Sequence, residues 1–266
     1  MDVEINVGDP DVQRRFAIRN LPLLALLPNL KDAFQVVNNH LVGKEDDTAG
    51  RSIFYLSYMV WEDLNEILVL SSNGLVTGAM KILRGMFERT VTLSYLALKP
   101  DQADLFWKYF KVDQHKRATR MEKAFPGVIS KERLEKIHKE FEEVKALFPY
   151  RSLSWSKTNI VDMAREVGIP AHIVEGGYYT PMEETHPKVG ALIARMKKLG
   201  VTGEQPTEHD PLSTLAVAFG LVLTTIEVLQ RHFGVGQLQE TLEQCTEKFE
   251  AALKSVRLSQ SDPETA

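Results

Sequence analysis

Cysteine is almost missing from this chain: Cys245 stands alone among 266 residues. No intramolecular disulfide and no thiolate metal cluster can form, so a reducing, cytoplasmic setting is expected. Cationic excess is lacking too. The 32 Lys and Arg are outnumbered by 36 Asp and Glu, and the formal charge is −4. That argues against a surface coated for nucleic acid and leaves room only for a local basic patch. No apolar run is long. The most apolar, LAVAFGLVLTTI at 215–226, falls short of the roughly 20 residues of a membrane span. A soluble protein with no membrane partner, and a buried core helix at this point, is expected. The opening MDVEINVGDP has neither the basic nor the apolar region of a secretory signal. Alternating β-branched runs with tight turns are absent, as are a glycine-rich phosphate loop, a serine elbow and a distinctive Cys–His pair.

Helical periodicity fills the space left by these absences. It predicts helices over 28–42, 49–71, 74–98 and from Pro100 to Lys123. On the second of these, Phe54, Tyr58, Trp61, Leu64 and Leu68 recur at 3–4 spacing and read as its buried face. Ser130 caps a charged helix with the narrow apolar seam of a helical hairpin, through Leu134, Ile137, Phe141, Val144 and Phe148. KTNIVDMAREVG forms a short helix closed by Gly168. Two more run from Pro211 to about 232 and over 237–257. The expected architecture is all-α: an N-terminal arm at 1–27 broken by prolines, one helical-bundle domain of about eight helices at 28–257, and a disordered tail at 258–266.

Two stretches carry candidate chemistry. In TPMEETHPKVG, 180–190, Thr180 reads as an N-cap, Pro181 as the first helical residue and Glu183 as the closing residue of a capping box. Pro187 then breaks the helix directly after His186, which it pushes away from α geometry. A histidine at such a break suits either a functional role or the capping of freed carbonyls. In GAMKILRGMFERTVTLSYLAL, 78–98, Lys81, Arg84, Glu88, Thr92 and Tyr95 draw one polar line down an apolar helix. It is either a solvated face with an ordinary i,i+4 pair or a polar network lining a cleft.

Arg84-x-x-x-Glu88, the following SYLAL and FWKYFKVDQHK, then Trp155, NIVDMAREVG, Tyr178, Tyr179 and His186 occur in an order that resembles the bacterial domain-of-unknown-function family 5677 over roughly residues 50–200. The resemblance implies an all-helical fold with no settled activity. That family is similar in turn to HEPN-like helical domains, several of which are RNA-cleaving toxins or phage-defence effectors. Their active site pairs a histidine with an arginine four to six residues before it, usually at a dimer interface. His186 matches the histidine, whereas Tyr179, Thr180 and Pro181 stand where the arginine belongs. The resemblance therefore implies a HEPN-like core and a homodimer more firmly than a ribonuclease.

Three further constellations compete. A literal R-x4-H occurs at Arg133–His138, on the most charged helix, where chance and a solvated face account for it. Glu135–His138 and Glu183–His186, with Glu62 or Glu66 and with Glu88, make the outline of a di-iron bundle. Lys108, Lys111, Lys116, Arg117, Arg120 and Lys123, with Trp107, Tyr109 and Phe110, form the best candidate contact for RNA phosphate. The expectation drawn from all of this is an interaction or regulatory module of a bacterial stress or defence system, with RNA or a protein as partner and without a metal or other cofactor. The first alternative is a metal-independent ribonuclease. There His186 acts as acid and base, Arg84 stabilises charge, Glu88 orients Arg84, and Tyr178 or Tyr179 lines the site. Lys111, Lys116, Arg117 and Arg120 would then grip the RNA backbone.

Overall fold

Two long helices organise the molecule, α4 (Thr48–Ser72) and α5 (Val76–Leu98), packed against each other as a hairpin. Their turn follows from SSNG: Gly74 adopts φ +72°, and the amide of Leu75 reaches back to the carbonyl of Leu70 at 2.8 Å. The computed structural model describes residues 8–41, 47–149, 154–185 and 211–260, with single helical positions at 189, 192, 193 and 196. Among the described residues every regular element is helical and no strand forms, as the periodicity predicts.

The buried line of α4 is Ile53, Ser57, Val60, Leu64, Ile67 and Ser71. This corrects the predicted face in part, because Tyr58 is 56% exposed. Ile53, Val60, Leu64 and Ile67 are each fully buried, a burial that stabilises by about 1.5–3 kcal/mol per side chain. The two serines are 2% exposed, and Ser57 donates its hydroxyl to the carbonyl of Phe54 at 2.6 Å.

Prolines break the N-terminal segment into α1 (Pro10–Arg19), α2 (Leu21–Leu24) and α3 (Leu27–Leu41). Asp9 caps α1, with Pro10 at its first position, and Phe16, Leu23, Leu26 and Leu30 join the main core. Later in the chain, α11 (Leu212–Phe233) lies across α4 and α5, and α12 (Leu238–Gln260) covers α11, α2 and α3. By length and composition α11 is long and apolar enough to span a membrane. The helix matches the expected one from Pro211 to about 232, and it is longer than its most apolar run at 215–226, which alone falls short of a span. Leu215, Ala218, Phe219, Val222, Ile226 and Leu229 are buried against its neighbours.

After α5, a short 3-10 turn (Pro100–Gln102) leads into α6 (Ala103–Ala124), which pairs with α7 (Lys131–Val144). Ser130 caps α7 through the amide of Arg133. This hairpin has its own small core of Tyr109, Val112, Phe141, Val144 and Phe148. Trp155 packs on both cores and sets its ring edge-on to Tyr95 and Phe106. Next, α8 (Ile160–Glu166), capped by Asn159, packs on α5, where Lys99 donates to Glu166 and to the hydroxyl of Tyr95.

Candidate functional site

The chain from Ala171 to Thr185 is one continuous helical run in three parts: α9 (Ala171–Val174), a π-helical turn (Glu175–Tyr179) and α10 (Thr180–Thr185). The capping box expected at Thr180 is therefore absent. Thr180 has helical dihedrals (φ −57°, ψ −50°), and the run begins at Ala171, after extended Pro170. Pro181 thus sits inside a helix, where it lacks an amide hydrogen and where an ordinary α turn would set its ring against the carbonyl four residues back. The wider π turn just before it absorbs that conflict, and π turns recur at functional sites. Glu183 is exposed and free of the assigned capping role. His186 and Pro187 lie outside the described residues.

Two glycines seat the turn. A Cβ on Gly177 would lie 2.8 Å from Cδ2 of Phe87, and one on Gly176 would lie 2.9 Å from Cγ2 of Val217. The π turn therefore lies with its backbone directly on α5 and α11. This close seating brings Tyr178 to the polar line of α5. Nε of Arg84 donates to Oε1 of Glu88 at 3.2 Å, and Cζ of Arg84 stands 5.1 Å from the centre of the Tyr178 ring. Tyr178 also packs on Phe87 at 5.8 Å between ring centres and sets Tyr179 edge-on at 5.4 Å. The side chains of Arg84 and Glu88 keep 31% and 44% of their exposure. So four of the candidate residues, Arg84, Glu88, Tyr178 and Tyr179, share one half-open site. Lys81 is exposed above it, while Thr92 and Tyr95 are buried below. The polar line is thus open at one end and internal at the other.

The clamp on Arg84 is a matter of orientation more than of stability. An exposed i,i+4 pair contributes a few tenths of a kcal/mol, and a partly exposed cation–π contact about 0.5–1 kcal/mol. Arg84→Ala is accordingly expected to lower unfolding stability by only about 1–1.5 kcal/mol in urea titration. Any functional loss in that variant is then a property of the site.

The basic candidates lie elsewhere, on α6, whose partners are α7 and α4. Lys111 bonds Glu143 of α7 at 2.8 Å, and Lys116 donates to the hydroxyl of Tyr109 at 2.7 Å. Lys111 thereby ties α6 to α7, whereas the contacts of Lys116, to Tyr109 and to Asp113, stay within α6. Arg117 and Arg120 are exposed. Tyr109, expected among the nucleic-acid contacts, is buried, whereas Trp107 and Phe110 are 47% and 62% exposed. The histidine of the literal R-x4-H, His138, faces His115 across the hairpin, 5.7 Å between ring centres, beside a cavity of about 350 Å³. Glu135 and His138 ride on α7, which packs on α6 rather than on the α5 of Glu88 or the α10 of Glu183, so among the described residues the di-iron outline does not come together. Among the described residues no three His, Cys, Asp or Glu side chains are placed to hold a metal ion.

One pair escaped the reading of the sequence. Nη1 of Arg89 donates to Oδ2 of Asp63 at 2.6 Å, joining α5 to α4 with Asp63 only 7% exposed. Burial pushes the Asp63 carboxyl from 3.8 up to about 6, although Arg89 pulls it down; Glu66 and Glu62 push it further up. An aspartate within the buried line Val60–Leu64–Ile67 was the available signal.

Compared with known proteins, the chain matches the model of a family of unknown function, DUF5677, over residues 56–203, more than half its length. That span holds Arg84, Glu88 and the whole π turn. No curated protein and no solved structure matches it.

Proposed function

The chain belongs to DUF5677, whose function is unknown, so membership supplies no reaction, and we propose from the geometry that the protein works as an interaction or regulatory module. The observation that carries this reading is the clamped guanidinium: Arg84 is held by Glu88 and by the face of Tyr178, half-exposed beside Tyr179. Arginine and tyrosine dominate recognition hot spots, because both offer large planar contact surfaces at low entropic cost once they are held in place. The clamp pre-orients Arg84 toward a planar or anionic group on a partner, and the π turn, seated by two glycines on α5 and α11, keeps Tyr178 in place.

A ribonuclease is the second reading, favoured by one feature: α10, which ends at Thr185, packs along the helix that carries Arg84 and Glu88. An RNA-integrity assay separates the two, run with and without EDTA beside Arg84→Ala and His186→Ala. Intact RNA in every lane is the expected result. Cleavage that survives EDTA and vanishes in both variants would replace the module by a metal-independent nuclease.

A further inference from the structure

The outward face of α4 is unlike an ordinary solvated helix face. Residues recur every 100° around a helix, so Arg51, Tyr55, Tyr58, Glu62 and Glu66 form one stripe, opposite the buried line of Ile53, Val60 and Ile67. Tyr55 and Tyr58 on it are 51% and 56% exposed, and neighbouring Met59 is 40% exposed. Trp107 widens the patch. Its indole nitrogen donates to Oγ of Ser52 at 2.7 Å, which fixes the half-exposed ring beside the first turns of α4. Phe110 follows one turn along α6.

We propose that this face is the contact between two copies of the chain, their α4 helices antiparallel about a two-fold axis between Tyr58 and Met59. Charge order selects that occupant. The stripe has a cation at its N-terminal end, aromatics in the middle and carboxylates beyond them. Reversing a second copy sets Arg51 against Glu66, Tyr55 against Glu62 and Tyr58 against Met59. Every such contact forms twice, as a self-complementary two-fold interface requires. A parallel arrangement would set like charge on like. Nucleic acid is disfavoured because two carboxylates face one guanidinium along the stripe, so phosphates would be repelled on balance.

The area is also of the right order. Aromatic side chains bury about 150–250 Å² each. With roughly half of each exposed, Tyr55, Tyr58, Trp107 and Phe110, together with Met59, offer on the order of 450 Å² per copy. That is about half of the ~800 Å² each partner contributes to a standard interface. It also falls within the roughly 300–600 Å² of the largest apolar patch on a typical monomer, a patch that is often functional. This proposal is independent of the Arg84 site, which lies on another helix.

Sedimentation equilibrium of the full chain tests it. The wild type is expected to dimerise, and Tyr58→Glu to be monomeric. Arg51→Glu and Glu66→Arg are each expected to weaken association by about tenfold or more, and the double variant Arg51→Glu/Glu66→Arg to restore it. Circular dichroism checks that each variant keeps its helices. A monomeric wild type, or a dimer indifferent to all three single changes, overturns the proposal. A monomer that binds labelled single-stranded RNA, and loses it on Tyr58→Glu, would assign the face to nucleic acid instead.

Discussion

Arg89→Met is expected to cost about 3 kcal/mol of stability at pH 7 and only about 1 kcal/mol at pH 5. The variant removes the cation 2.6 Å from Asp63 and leaves the carboxylate buried between α4 and α5. At pH 7 the orphan is charged or must take up a proton against the bulk, and breaking such a pair costs several kcal/mol when fully buried. Arg89 keeps 31% of its exposure, which places the expected loss at the lower end. At pH 5 Asp63 is largely protonated, because its carboxyl titrates at about 6 even with Arg89 present. What is lost then is one hydrogen bond.

The same group gives the wild type a pH dependence of defined sign. A carboxyl whose folded value is raised holds its proton more tightly when folded. The resulting stabilisation is fully present below the unfolded value of 3.8 and is lost as pH rises through about 6. The contribution of Asp63 therefore increases as pH falls from 7 toward 4, by an amount on the order of 3 kcal/mol. Asp63→Asn, which cannot ionise, is expected to flatten that part of the profile. Urea midpoints at pH 5 and pH 7 for wild type, Arg89→Met and Asp63→Asn measure all of this. Equal losses for Arg89→Met at the two pH values would sink the account.

How legible these features are depends on how local their causes are. Helices α4, α5, α6, α7, α11 and α12 were readable because each repeats apolar residues over several turns between clear stops such as Gly74 and Gly234. The buried face of α4 was only partly readable. Both of its sides carry large apolar residues, and the face that packs on α5 and α11 is decided by those distant helices: Ser57 and Ser71 are buried while Tyr58 is left outside. The start of the helix at Ala171 was hidden by local signals. Thr180–Pro181 reads as a cap, yet it continues a helix whose preceding glycines bring backbone against Phe87 and Val217. Arg84 and Glu88 were visible as a spacing. Tyr178, against whose ring Arg84 rests, lies far along the chain, and nothing in either segment alone specifies that meeting. Asp63 and Arg89 pair across a hairpin, so each looked like an ordinary charged residue on its own helix.

Phe87→Ala should be the most destabilising single change near the site, at about 3–5 kcal/mol. Phe87 is fully buried, lies under Gly177 and packs on Tyr178. Its removal leaves a cavity where the π turn rests on α5, and it withdraws the support behind the ring that holds Arg84. Gly177→Ala attacks the same contact from the other side. Its new methyl would stand 2.8 Å from the Phe87 ring, and such overpacking costs about 1–3 kcal/mol. The two changes touch the same few cubic ångströms, so they should not add. In Phe87→Ala/Gly177→Ala the methyl enters the space the ring vacated, and the double variant should be more stable than the sum of losses implies by about 1 kcal/mol. Urea denaturation of the four proteins closes the cycle. Additivity would mean that backbone and ring are not in the tight contact that positions Tyr178, and the rigid clamp on Arg84 would lose its physical basis.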